Sequence, residues 1–150
     1  MSPNQWGPPI WMLFHTMAEK VKEESYPVIG QQIFAVISQI CNNLPCPECT
    51  THAKIFLSKV KPNQLKNKND LKNLLYVFHN AVNARKNKPP YKYEDLEKYK
   101  TAITINVFNN FVRNYNTKGN MKLLSDTFHR SRLSLSLRKW FMTNMNHFDL

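Results

Sequence analysis

Along the first two-thirds of this chain, apolar residues recur at three- and four-residue steps, the period of a helix with one buried face. The first series is Ile10, Trp11, Phe14, His15, Ala18 and Val21. Pro8 and Pro9 stand just ahead of it, where proline is tolerated as a helix opens. Pro27 interrupts the pattern, which resumes over residues 29–43 with Ile33, Phe34, Val36, Ile37 and Ile40. Pro45 ends that second helix, because the residue before a proline avoids the helical region. A third helix is predicted from Pro47 to about Val60, stopping near Pro62. Residues 61–69 are rich in Lys and Asn and read as a loop. Asp70 is placed to cap a fourth helix bearing Leu71, Leu74, Leu75, Phe78 and Val82, closed by Pro89 and Pro90. A fifth helix is expected from about Tyr93 to Tyr115, on Leu96, Ile103, Val107, Phe108 and Phe111.

The end of the chain is mixed in period. Leu133, Leu135 and Leu137 alternate with Ser134 and Ser136, as a strand would, while their flanks favour a helix. We read this extension as helical. Helical patterns with no strand before residue 115 predict an all-α bundle with short connections. The division expected is a bundle over 1–115 and a basic C-terminal extension over 116–150, whose role the sequence leaves open.

Composition narrows the chemistry. A chain of 150 residues is the size of one domain. Only three glycines occur, Gly7, Gly30 and Gly119, so there is neither a dinucleotide G-x-G-x-x-G nor a phosphate-cradling P-loop. G-x-S-x-G and H-E-x-x-H are also absent, which removes common serine-hydrolase and zinc-protease signatures. No apolar run is long enough to span a bilayer, and the first residues lack the layout of a secretory signal, so a cytosolic setting without membrane contact is the expectation.

The net charge of +11 is unevenly spread. Residues 1–58 carry three Lys/Arg against four Asp/Glu, whereas residues 59–150 carry 18 against six. The cations gather as Lys59, Lys61, Lys66, Lys68 and Lys72, as Arg85, Lys86, Lys88 and Lys92, and as Arg130, Arg132, Arg138 and Lys139. Such clusters suit a polyanion, a cofactor diphosphate or nucleic acid, and equally a solvated basic face.

The three cysteines are Cys41, Cys46 and Cys49. Cys46-Pro47-Glu48-Cys49 is a C-x-x-C, with His52 one three-residue step on. If Cys46 caps the helix that Pro47 opens, these side chains share a patch at a helix N-terminus. The backbone N–H groups there favour a thiolate, the reactive form of cysteine. A redox-active pair fits. So does a zinc site built from Cys46, Cys49, His52 and a fourth ligand, although no second metal-binding hook is present. Cys41 reads as a small buried core thiol.

Three separated segments carry a family resemblance. Trp6-Gly7-Pro8-Pro9-Ile10-Trp11 with His15 resembles the G-x-x-x-W-x-x-x-H opening of the Erv/ALR FAD-linked sulfhydryl oxidases, in a form like that of large DNA viruses. Pro45-Cys46-Pro47-Glu48-Cys49 with His52 is similar to their redox motif. His79-Asn80-Ala81-Val82-Asn83 with Arg85 and Lys88-Pro89 resembles their flavin-binding H-N-x-V-N…K-P segment. The resemblance covers about residues 5–100.

It implies a four-helix bundle with an additional short helix, binding FAD without a glycine-rich loop. By the same resemblance Cys46 and Cys49 are the catalytic disulfide, with Cys46 meeting substrate and Cys49 nearer the flavin. The cofactor would be held by Gly7, Trp11, His15, Cys49, His52, His79, Asn80, Val82, Asn83, Arg85 and Lys88, with no metal. Tyr91, Tyr93 or Tyr99 would supply the aromatic wall that many members build with a later tryptophan, absent here. The activity implied is oxidation of dithiols in protein substrates, with electrons passing to oxygen to give hydrogen peroxide. With Cys41 alone left over, no shuttle pair exists in this chain. The partner implied is a thiol-bearing protein or a small dithiol relay protein that meets Cys46 directly. A homodimer, and a host-cytoplasmic or virion setting if the source is viral, are also implied. The less favoured alternatives are a zinc-stabilised module that binds nucleic acid through its basic half, and a family member that keeps the bundle and binds a partner without catalysis.

Overall fold

The structure, a computed structural model, describes residues 3–115 and 124–150. Six α-helices carry the fold: α1 (Pro3–Lys20), α2 (Tyr26–Cys41), α3 (Pro47–Ser58), α4 (Lys68–Arg85), α5 (Thr104–Tyr115) and α6 (Leu124–Asn144). Short 3₁₀ segments lie at Pro62–Gln64, Tyr93–Thr101 and Met145–His147. Among the described residues the one β-type contact is a bridge between Val21 and Phe148. The all-α expectation holds.

Helix α1 is the axis. Every residue from Leu13 to Ala18 is buried, so α1 is covered on all sides rather than along one stripe. It packs against α4, α5 and the 93–101 segment. Helix α2 buries a single face, Ile29, Ile33, Val36, Ile37 and Ile40. Leu71, Leu75 and Phe78 of α4 join the same core, as do Val107, Phe108 and Phe111 of α5.

Four local expectations need correction. Helix α1 starts at Pro3, so Pro8 and Pro9 lie inside it. The N–H groups they lack belong to its early turns, and Trp6, only 5% exposed, anchors those turns in the core. Helix α2 opens at Tyr26 with Pro27 in its first turn, so Pro27 begins the helix instead of separating it from what precedes. The cap of α4 is Asn67, whose Oδ1 accepts the Asp70 N–H at 2.9 Å, while Asp70 Oδ2 accepts the Lys66 N–H at 2.9 Å. The predicted fifth helix is two elements. Leu96 and Tyr99 are buried three residues apart, the step that a 3₁₀ turn stacks on one edge. The chain then extends at Ala102 before α5 begins.

The C-terminal stretch folds onto this core. Leu137 and Phe141 of α6 are buried, and Phe108 stacks on Phe141 at 4.0 Å. Its last residues are tied to the α1–α2 junction, with the Asp149 N–H donating to Lys20 O at 2.7 Å and the Lys22 N–H to His147 O at 2.9 Å. Thr104 Oγ1 donates to Asp149 O at 2.6 Å. The surface cation clusters also change. Lys68 Nζ donates to the carbonyls of Glu19 and Val21, at 2.8 and 2.9 Å, and so caps the end of α1. Lys72 pairs with Glu19 at 2.7 Å. Arg130 is 1% exposed and belongs to the interior.

Candidate active site

Cys46 stands outside α3 in an extended conformation, as a residue before proline prefers, and Pro47 opens the helix. Its Sγ caps the helix by accepting the Cys49 N–H at 3.2 Å. Cys46 and Cys49 form a disulfide, their Cα atoms 5.2 Å apart. Thr50 Oγ1 accepts the Leu44 N–H at 3.1 Å and stitches the preceding turn to the helix. On reduction, the positive end of α3 and the Cys49 N–H both favour a thiolate at Cys46.

The two sulfurs face different surroundings. Cys49 lines a cavity of about 900 Å³ with Trp11, Phe14, Phe56, Phe78 and His52, and Cys46 does not. Cys41, free and buried, lies in the wall of the same cavity, and burial pushes its thiol well above the usual range. His52 is exposed at the rim, with Nε2 3.8 Å from Glu48 Oε1. Arg85 Nη1 lies 3.8 Å from that same oxygen.

Behind Trp11 the aromatic rings are stacked. His79 lies on Trp11 with centroids 4.1 Å apart and planes 3° from parallel. Tyr91 stacks on His79 at 4.6 Å, and Tyr99 on His15 at 4.9 Å. His15 Nε2 is hydrogen-bonded to His79 Nδ1 at 2.9 Å. Burial, then the charge of His79 and that of Lys98, hold His15 down to about 3. Burial, then Lys98 and Lys88, hold His79 down to about 4. Both imidazoles are therefore neutral near pH 7, one donating to the other.

A second cavity of about 1000 Å³ shares Gly7, Trp11, Val82 and Lys86 with the first. Three cations line it, Lys86, Lys88 and Lys98, together with Asn83, Tyr91 and Tyr99. Burial first, then Lys88 and Arg85, lower the affinity of Lys86 for its proton. The local backbone explains why they converge. Asn87 has φ of 56°, and the N–H groups of Asn87 and Lys88 bond back to the carbonyls of Ala84 and Asn83, at 3.2 and 2.8 Å. This left-handed stop ends α4 and turns Lys88 toward the cavity.

Most of the expected cofactor residues are brought together. Gly7, Trp11 and Val82 border both cavities, Cys49, His52 and Arg85 the first, and His79, Asn83 and Lys88 the second. His15 borders neither and acts behind His79. Asn80 also borders neither, because its amide is spent on Tyr91, accepting the backbone N–H at 2.6 Å and donating to its carbonyl at 3.0 Å. Of the three candidate tyrosines, Tyr91 and Tyr99 line the second cavity. Tyr93 is exposed and packs on Tyr76. Phe56, Phe78, Lys86 and Lys98 were not foreseen as lining residues; Phe78 appeared in the sequence only as a core position and Lys86 only as one of a charge cluster. For a zinc site, among the described residues no group of three or more His, Cys, Asp or Glu side chains is placed to hold an ion.

This arrangement defines the class. A sequence model described as the Erv1 / Alr family matches residues 8–103, well over half of the chain, and the protein belongs to that family. A relative from African swine fever virus, named FAD-linked sulfhydryl oxidase, is 30% identical over 104 residues, covering 69% of this chain and 84% of its own. The protein of that name in another isolate is 32% identical over 83 residues, with coverages of 55% and 69%. A Variola virus protein named "Probable FAD-linked sulfhydryl oxidase" is 27% identical over 101 residues, covering 67% of this chain and 98% of its own. No solved structure matches the chain.

Proposed function

We propose that this chain is an FAD-dependent thiol oxidase that forms disulfides through Cys46 and Cys49. The observation that carries the reading is the position of Cys49, one half of a helix-capping disulfide and part of the wall of an aromatic cavity with Trp11 and Phe78. FAD fits the donor set on three counts. The first cavity offers flat apolar walls. The second offers three cations and, among the described residues, no carboxylate in its lining, which suits a diphosphate. Gly7 borders both, and apart from its chain neighbours and its own helix backbone a Cβ there would meet nothing within 4 Å among the described residues. Trp11, His79, Tyr91 and Tyr99 would pack on the cofactor's rings, and Lys86, Lys88 and Lys98 would face its phosphates. The chemistry FAD supplies when bound is acceptance of two electrons and their delivery to oxygen as hydrogen peroxide.

The chain's own residues perform the exchange. A substrate thiolate attacks Cys46 Sγ, the bond to Cys49 breaks, and Cys49 leaves as a thiolate facing the cavity. A second substrate thiol attacks the mixed disulfide, releasing an oxidised substrate and the Cys46 thiolate, which the Cys49 N–H and the α3 terminus stabilise. The electron pair then resides on the Cys46/Cys49 dithiol. Neutral His15 and His79 keep the stacked rings uncharged. Thiol-bearing proteins and oxygen are the co-substrates, and among the described residues no helix is long and apolar enough to cross a membrane. A dithiol relay partner, a homodimer and a host-cytoplasmic or virion setting complete the proposal.

The test is Cys49→Ser in the flavin-loaded protein. The variant stays yellow and loses peroxide production from dithiothreitol. Turnover at the parent rate in a yellow variant overturns the assignment.

A further inference from the structure

The turn that carries the redox disulfide, residues 42–46, is held from beyond the family's matched segment. Tyr115, the last residue of α5, is 1% exposed. Its hydroxyl donates to the Asn43 carbonyl at 2.8 Å and lies 3.4 Å from the Ile40 carbonyl, where α2 ends. Its ring is fixed by stacking on Phe111 at 4.9 Å. Burial keeps the hydroxyl protonated at any working pH, so it remains a donor. Arg130 of α6 shares a cavity of about 530 Å³ with Asn42, Asn43, Leu44, Pro47 and Thr50 of this region. Tyr115 and Arg130 lie in α5 and α6, after residue 103, where the family match ends.

We propose that Tyr115 is a positioning residue for the redox pair, holding the 42–46 turn so that Cys46 stays opposite Cys49 when the disulfide opens. The physical reason is chain entropy. Once reduced, Cys46 keeps the contacts that tie it to the first turn of α3, the Thr50 N–H donating to its carbonyl at 3.0 Å and Thr50 Oγ1 accepting the Leu44 N–H, and the backbone before it sets the freedom that remains. A turn fastened at Asn43 keeps the two sulfurs at high effective concentration and so favours the closed disulfide over the dithiol. Arg130 lines the cavity that borders this turn. The inference rests on the reading of Cys46 and Cys49 as a redox pair, not on the identity of the electron acceptor.

The test equilibrates the flavin-loaded protein without oxygen in dithiothreitol couples of stepped ratio. The Cys46/Cys49 pair is then trapped by alkylation and quantified by mass. Tyr115→Phe keeps the stacked ring and removes the donor. One neutral hydrogen bond of about 1 kcal/mol corresponds to roughly a fivefold shift of the exchange equilibrium toward the dithiol, or about 20 mV to a more positive potential. Ile33→Val destabilises the core far from the turn and leaves the equilibrium unchanged. An unshifted Tyr115→Phe equilibrium overturns the inference, and so does an equal shift in Ile33→Val. Because trapping needs no turnover, a protein that shifts as expected yet makes no peroxide would refute the oxidase reading and leave this one standing.

Discussion

The neutral histidine pair makes the fold sensitive to mild acid. His15 is 2% exposed and hydrogen-bonded to His79. In the unfolded chain both titrate near 6.5, whereas in the fold they titrate near 3 and 4. Between those values the unfolded chain binds protons that the native state refuses, so stability is greatest above pH 6.5 and falls as pH drops. From pH 7 to pH 5, His15 alone costs about 2 kcal/mol by linkage. The half-buried His79 adds about 1 kcal/mol once its contact with solvent is discounted. The loss levels off only below about pH 3 to 4. Urea unfolding at pH 7, 6 and 5, followed by far-ultraviolet circular dichroism, reads the total. The imidazole proton resonances report directly whether His15 titrates. A stability that is flat from pH 7 to 5, or a His15 resonance with its midpoint near 6 in the folded protein, would refute the reasoning.

Two further predictions concern the cofactor cavities. At Gly7, which precedes Pro8 inside α1, the helix-propensity gain of alanine, about 0.5–1 kcal/mol, is opposed by the clash of its Cβ with the proline ring, so Gly7→Ala should not stabilise the flavin-free protein by more than about 0.5 kcal/mol. The same methyl group intrudes on the space shared by both cavities, so flavin retained through gel filtration should fall; full retention would show that the cofactor does not approach this residue. At Asn87, a left-handed position, substitution by Val should cost about 1–2 kcal/mol in thermal unfolding and weaken flavin binding by misdirecting Lys88, while Gly should be tolerated. Equal stability of the Val and Gly variants would dismiss the left-handed stop as a constraint.

How far the sequence was legible depended on whether a signal was local. The stripes on α2 and α4 follow from spacing alone, and the capping role of Cys46 follows from Pro47. Other local signals were present but read at the wrong scale. Asn67 is the cap, taking the Asp70 N–H, while the Asp70 side chain reaches past it to the Lys66 N–H, so the cap sits three residues before the acidic residue that draws the eye. Leu96 and Tyr99 belong to a run of three-residue steps that marks a 3₁₀ turn, not a longer α-helix. Arg130 and Arg132 are alike in sequence, and only tertiary packing decides that the first lies inside. The site divides in the same way. Trp11, Cys49 and His79 are legible through their motifs. Lys98 and Tyr99 meet the others only because the 93–101 segment folds against α1.

The shortage of glycine has its answer in how the second cavity gathers charge. A glycine-rich loop brings phosphates to a helix N-terminus, where backbone N–H groups and the helix dipole both favour an anion. Here the relevant helix end is the C-terminus of α4, whose dipole opposes an anion. Side-chain charge has to outweigh it. Lys86 comes from the end of α4, Lys88 through the left-handed stop at Asn87, and Lys98 from the neighbouring 3₁₀ segment. Lys86 there is partly buried and close to Lys88 and Arg85, and burial first, then those two charges, weaken its hold on a proton. That repulsion is relieved only when a polyanion enters, so phosphate-bearing cofactor and protein should stabilise each other strongly, and the coupling should weaken as salt screens the charges.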